Sequence, residues 1–384
     1  MKTLKSTSFG KTGLLIAALA LLGGSLTACH DHDDSGTLEV EIDHDTQTYT
    51  LTVNTNVAAN VTFNGTTKSN VTSATFESIT EGGSVEIAAV EDDYIDQTAN
   101  VALGANTDIV LSVTLVKRST ETVTLEETTT ESTSVSNDSE NQDETGVEAT
   151  VTVDAGTTIT NADDLDDTDL STTVYTPAAA EADDNVEVND TYVSDVLVVD
   201  CTPDGAEFDT PVTITVTVAD AEGTSVDCVA DNGDYADNVQ VSSTGLSAEV
   251  DHFSAWTFVL NATVTAISTR TSSTTSTVHV SNGNNTFSYS KYTGFNPGSD
   301  VTTGGILYNF LQNQFGSPRA TTSGTFDIAA NGSGSVTYVV VQTIITYTYV
   351  SGSRTFTADV YGGVDVSISG FTADTTGHSG GSGN

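Results

Sequence analysis

Apolar and polar residues alternate with a period of two along much of this chain. Between residues 37 and 118 the runs LEVEI, YTLTV, NVTFNG, SATFESI, SVEIAAV, NVAL and IVLSVTLV each set every second side chain on one face. That is the pattern of a half-buried strand. Asn64-Gly65 and Gly82-Gly83 punctuate the runs as turn residues. Seven short strands so punctuated predict a sandwich. Residues 119–145, STETVTLEETTTESTSVSNDSENQDET, break the pattern. With few apolar anchors they bury too little surface to offset their ordering entropy, which predicts an extended acidic Ser/Thr linker. TVTLEE within it also reads as an opening strand.

Alternation resumes over residues 146–264 in VEATVTVDAGTTIT, DVLVVDCTPDGAEFDTPVTITVTV, NVQVSS and LSAEVDHFSAWTFVL, predicting a second β-sandwich. TAISTRTSSTTST then predicts a second linker over 265–278. From 279 to 372 aromatic and Gly residues rise and one helix enters the pattern. Ile306, Leu307, Phe310, Leu311 and Phe315 recur at helical spacing, Thr302 or Thr303 is placed to cap the start, and Gly316 with Pro318 ends it. Such a helix is expected to pack on SVTYVVVQTIITYTYV and FTADVYGGVDVSISGF, with its apolar stripe in the core. Residues 373–384, ending in TTGHSGGSGN, predict a disordered tail. The expected fold class is mostly β: tandem β-sandwich domains followed by a C-terminal α+β domain with one helix on an antiparallel sheet.

Composition supports strands, since Thr, Val, Ser, Asp and Gly dominate while Lys and Leu are scarce. Charge narrows the partners. With 53 acidic and 10 basic residues the formal charge is −43, which excludes nucleic acid or an anionic membrane face held by phosphate neutralisation. The imbalance is local: no Lys or Arg occurs between Arg118 and Arg270, and no Glu beyond Arg270. Strong acidity favours solubility through self-repulsion.

The start of the chain carries an address. Leu14 to Ser25 is apolar and small, too short for the roughly 20 residues of a membrane span but of the length of a signal-peptide core. Lys2, Lys5 and Lys11 supply the positive region before it. Leu26-Thr27-Ala28-Cys29 follows and resembles the lipobox of bacterial lipoproteins. The resemblance implies a signal peptide over 1–28, lipidation of Cys29, and an outer-membrane lipoprotein of a Gram-negative bacterium whose membrane partner is reached through that anchor. The acidic tether after Cys29, residues 29–36, reads as a solvated charge run. It also resembles the export signal of Bacteroidetes lipoproteins moved to the cell surface. In an exported chain the two remaining cysteines, Cys201 and Cys228, are expected to form one disulfide, with a free catalytic thiol as the alternative.

Two further resemblances concern the β-units. Ala59-x-Val61-x-Phe63-Asn64-Gly65, then Phe76, Ile79, Gly83, Val85-Glu86-Ile87 and Tyr94, fall in the order found in the PEGA domain. Asn56-Val57-Ala58 replaces its Pro-Glu-Gly, and Asp93 replaces the Gly before the Tyr. Val151-x-Val153-x-Ala155-Gly156-Thr157, Pro203-Asp204-Gly205-x-x-Phe208-x-x-Pro211-Val212-x-Ile214 and His252-Phe253-Ser254 resemble the sandwich shared by netrin receptors, ankyrins and zonula-occludens proteins. Asp154 departs from that family's usual Pro. Both resemblances imply non-catalytic modules for structural or protein contacts.

Motifs for chemistry are sparse. The carboxylates of Asn161 to Leu170 lack the central Gly and distal Glu of a calcium loop and read as a solvated loop. His252 and Ser254 stand near each other without a nucleophile elbow, so His252 reads as a core imidazole. No catalytic residue, metal or cofactor is expected. The candidate ligand-binding residues are Tyr289, Tyr292, Phe295 and Tyr361, because aromatic faces stack on sugars. The expected function is a non-catalytic envelope lipoprotein in which a β-stalk presents the C-terminal domain for adhesion or for a protein or glycan ligand. The alternatives are an envelope hydrolase with two carboxylates, such as a glycosidase, and a structural envelope-assembly protein.

Overall fold

The computed structural model describes residues 48–101, 103, 108–165, 167–178, 186–280, 283–330 and 334–369. The signal peptide, Cys29, the acidic tether, the LEVEI run and the tail of 373–384 lie outside the described residues. Within them the chain is mostly β, built from antiparallel sheets and two short helices.

The first unit is one sheet of five strands: β1 (Tyr49–Phe63), β2 (Thr66–Ile79), β3 (Gly83–Ala89), β4 (Gln97–Val101) and β5 (Asp108–Val113). YTLTV and NVTFNG, expected as two strands, are a single strand with a register break between Asn54 and Ala59. The break lets the two halves of β1 face different neighbours: β5 runs parallel to Thr50–Thr55, and β3 pairs antiparallel with Ala59–Phe63. One sheet thereby encloses Leu51, Val53, Val61, Val85, Ile87 and Leu115. Asn64 and Gly65 form the two-residue turn to β2 with φ of 45° and 76°, the left-handed pair that such a hairpin needs.

The segment 119–145, expected as a linker, is folded into the body. It contains β6 (Val123–Thr124), β7 (Thr133–Ser136) and α1 (Ser139–Thr145). Leu125 and Val135 are buried, but polar side chains do most of the anchoring. Asn141, fully buried, donates from Nδ2 to the carbonyls of Lys117 and Val174 and accepts the Val174 N–H at Oδ1. Asn137 bridges Val147 and Ala149 likewise. Asp138 caps α1, accepting the N–H groups of Asn141 at 2.9 Å and Thr120 at 2.8 Å. Side-chain amides that satisfy backbone groups replace the apolar surface the sequence lacks.

The body continues through β8 (Glu148–Val153), a 3₁₀ turn at Ala162–Asp164, β9 (Asp169–Tyr175), β10 (Thr191–Thr202), β11 (Glu207–Thr217), β12 (Val226–Ala230), β13 (Asp237–Val241), β14 (Gly245–His252) and β15 (Ala255–Val280). A five-stranded sheet in the order β13-β14-β11-β8-β7 lies against a larger one that includes β15-β10-β9-β6. Their facing side chains, among them Val151, Val199, Ile214, Trp256 and Phe258, are shielded from solvent. Phe208 meets Phe253 edge-on at 4.6 Å.

No linker interrupts residues 265–278. β15 runs on to Val280, paired without a gap in the ladder from Ala266 onward to the long strand that spans Gly334–Ser351. Thr and Ser there lack an apolar period, yet β-branched Thr suits a strand and the partner supplies the apolar residues. The C-terminal elements are β16 (Gly283–Thr293), β17 (Phe295–Pro297), α2 (Ile306–Phe315), β18 (Ala320–Ala330), β19 (Gly334–Ser351) and β20 (Arg354–Ser369). β16 pairs with β18, while β15, β19 and β20 form a three-stranded extension of the large sheet. The expected helix is present and its five apolar positions are all buried. Gly305, not Thr302 or Thr303, occupies its N-cap position, and the N–H and hydroxyl of Thr302 donate to Asp220 instead, at 2.6 and 3.2 Å. α2 packs on β10 as well as on the aromatics of β19 and β20: Asn309 donates to the Val196 carbonyl at 2.9 Å, and Phe310 stands edge-on to Tyr349 and Phe356. Residues expected as a separate C-terminal core therefore share one continuous core with the sandwich.

Candidate functional site

Beyond the body, the two-stranded β16–β18 ribbon stands off the β15–β19–β20 extension and the two enclose a cleft of about 560 Å³. At its outer end Phe287, Phe326 and Tyr338 cluster with centroid separations of 5.5 to 6.5 Å. Beyond them, toward the tip, Val280, Ile328 and Val336 form a small separate core. At the inner end Gln342, buried, accepts the Tyr292 N–H at Oε1 (3.1 Å) and donates from Nε2 to the Tyr292 carbonyl (2.6 Å). That two-point clasp ties the ribbon to the sheet at the inner end of the cleft.

Three of the four expected ligand-binding residues meet here. Tyr289, Tyr292 and Tyr361 line the cleft. The Tyr289 ring lies across its cross-strand partner Gly324, where a Cβ would meet the ring at 2.2 Å. Only glycine permits that ring position. Tyr292 and Tyr361 sit with centroids 5.4 Å apart. Phe295 does not belong to the site. It is fully buried beside Tyr308 and Phe315, because β17 pairs it with Val360 inside the body.

Arg319, which periodicity and motif reading pass over, completes the cleft. Its guanidinium carbon stands 3.6 Å from the centroid of Tyr292 and 5.5 Å from that of Tyr361. Stacking in this way occupies the face of the guanidinium and leaves its N–H edges available. The remaining lining is hydroxyl and aliphatic, from residues such as Ser272, Thr274, Ser323 and Val340. Among the described residues no Asp, Glu, His or Cys lines the cleft. A sequence signal for Arg319 exists only in hindsight: it is a lone base in a stretch with few acids.

The other expected site residues lie elsewhere. Cys201 and Cys228 are free thiols, not a disulfide. They sit on β10 and β12, which flank β15 on opposite sides. Two strand spacings, about 9.5 Å, separate such positions, beyond the ~7 Å that a disulfide tolerates. Burial pushes the Cys201 thiol well up and that of Cys228 up to about 12, so neither is poised as a nucleophile. His252 is half-buried and pairs through Nδ1 with Asp251 at 2.8 Å, while its carbonyl accepts the Trp256 indole N–H. Ser254 donates to Asp231 at 2.6 Å, so serine and histidine have different partners. Burial raises the carboxyls of Asp195 and Asp200 on β10, and Arg118 partly opposes the shift at Asp200. Their spacing along one strand, roughly 16 Å, exceeds the ~5–9.5 Å of a glycosidase pair. A second cleft of about 430 Å³ lies on the first unit beside Glu91, Asp92 and Asp96.

No protein-family model, curated protein or solved structure matches the chain.

Proposed function

We propose that the protein is a non-catalytic lipoprotein of the outer membrane, anchored through Cys29, whose β-units hold a C-terminal cleft away from the membrane to bind a glycan. The observation that carries this reading is the cleft between the β16–β18 ribbon and the three-stranded extension. Its Tyr289, Tyr292, Tyr338 and Tyr361 rings alternate with hydroxyls and an amide, a surface that offers both stacking faces and hydrogen bonds. The anchor rests on the lipobox resemblance at Leu26-Thr27-Ala28-Cys29. The PEGA-like unit and the sandwich serve in this reading as the stalk.

The test is a glycan-binding screen on the mature chain made soluble by Cys29→Ser, beside Tyr289→Ala and Tyr338→Ala forms. Binding that both tyrosine substitutions weaken supports the reading; a chain that retains no glycan, or binds equally without those rings, overturns it. Fatty-acid labelling of the native chain and of Cys29→Ala tests the anchor separately.

One observation favours a second reading, assembly of envelope structures. From Thr265 to Val280 the edge of β15 opposite β19 has no strand partner among the described residues, and such edges template strand addition. Monomer mass at the highest soluble concentration of the mature chain would dispose of it.

A further inference from the structure

We propose that the cleft is selective for a carboxylate-bearing sugar, with Arg319 as the residue that takes the carboxylate. This rests on the glycan-binding reading above and narrows it to a ligand class.

The argument begins with pairing. The chain has four arginines outside residues 1–47. Arg118 pairs with Asp200 at 3.2 Å, Arg270 with Asp359 at 2.5 Å, and Arg354 with Asp220 at 3.1 Å. Arg319 alone has no carboxylate partner among the described residues, in a chain where acids outnumber bases 53 to 10. It is exposed, lines the cleft and is held by the Tyr292 ring. A guanidinium fixed by its face presents a planar fork of donors whose geometry matches a carboxylate, two parallel bonds at once.

The surroundings favour an anion at this place and no other. From Arg270 onward five aspartates stand against four basic residues, whereas residues 119–269 contain no base at all. A negative ligand approaching the body would be repelled; one approaching the β16–β18 ribbon meets a nearly neutral surface with a cation in its cleft. The tyrosines and hydroxyls on either side suit the ring and hydroxyls of the same sugar. The carboxylate could be that of a uronic acid or of a nine-carbon sialic acid, and the fork recognises what both share.

Calorimetry at low salt on the mature Cys29→Ser chain, with trigalacturonate, 3′-sialyllactose and neutral galactotriose, tests this. The expected result is that one or both acidic sugars bind at least about ten-fold more tightly than galactotriose, which is ~1.4 kcal/mol. Which of them binds identifies the source of the carboxylate. Arg319→Gln should erase that preference, and Arg319→Lys, which keeps the charge but not the fork, should restore only part of it. On the native chain, affinity for the acidic sugar should fall as salt is raised, a readout that does not depend on any variant folding. If galactotriose binds as tightly as the acidic sugars, or Arg319→Gln changes nothing while its melting curve is native, the carboxylate assignment is overturned and the glycan-binding reading stands. If no sugar binds, both fall.

Discussion

The two halves of β15 make an internal comparison, since they are one strand with one backbone conformation and opposite surroundings. From Ala255 to Val264 the strand lies between β10 on one side and β12 on the other, and Trp256, Phe258, Leu260, Ala262 and Val264 are buried in alternation. From Thr265 to Val280 only β19 accompanies it, and the residues are mostly Thr and Ser and mostly exposed. Strand formation therefore follows from a paired neighbour, while stability follows from what covers the face. The inner half is a keystone of the body. The outer half is one wall of a cleft, held by the Gln342 clasp and a small tip core, with little apolar burial of its own.

The comparison can be broken most severely at Trp256. Trp256→Ala should lower unfolding free energy by about 3–5 kcal/mol, whereas Ser273→Ala in the outer half should change it by less than ~0.5 kcal/mol; urea unfolding of the mature Cys29→Ser chain gives both. Equal effects would mean that the halves are one energetic unit. Next comes Asn141, whose amide satisfies three backbone groups, two of them on β9, the strand beyond β10 from the inner half. Asn141→Ala leaves buried N–H and C=O groups unpaired and should cost ~1–3 kcal/mol. Asp138→Ala, which removes the α1 cap, should cost about 1 kcal/mol by the same assay.

A smaller effect concerns pH. Burial raises the Asp200 carboxyl above its ordinary value, so the native state binds its proton more readily than the unfolded chain does. Stability from this group is present at low pH and is lost as pH rises through the raised value. Between the ordinary carboxylate range and that value the urea midpoint should therefore rise as pH is lowered, and the rise should shrink in Asp200→Asn. Asp138 has the opposite sign: burial is outweighed by the N–H groups it accepts, its carboxyl is lowered, and its contribution disappears only under stronger acid. The smallest effect is none: a reducing agent should leave the unfolding midpoint unchanged, and titration of the denatured Cys29→Ser chain should count two thiols. A midpoint that drops on reduction would show Cys201 and Cys228 bonded.

Legibility differed by the kind of residue. The helix Ile306–Phe315 could be read from apolar spacing because its stripe is buried against the large sheet. The segment 119–145 could not, since Asn137, Asp138 and Asn141 stabilise it through backbone contacts that leave no hydrophobic period. Six of the seven expected strands of the first unit fall within the described residues and give five, because a register break, which has no period-two signature, keeps β1 continuous. At the site, tyrosine content pointed to Tyr289, Tyr292 and Tyr361, but nothing local distinguished them from Phe295, whose burial is decided by the pairing of β17 with β20. Arg319 was invisible because its meaning is the ring it stacks on.

By itself the amino-acid sequence determined a mostly β chain with one apolar helix and a strong charge imbalance between its middle and its end. Those properties reside in side-chain period and composition, which each segment carries wherever it is placed. Only the tertiary structure decided that the strand through residues 265–278 is continuous, that the two cysteines stand apart across β15, and that a lone arginine meets two tyrosines over a cleft. Those depend on which strand lies beside which, and residues far apart in sequence acquire that relation only when the sheet closes around its core.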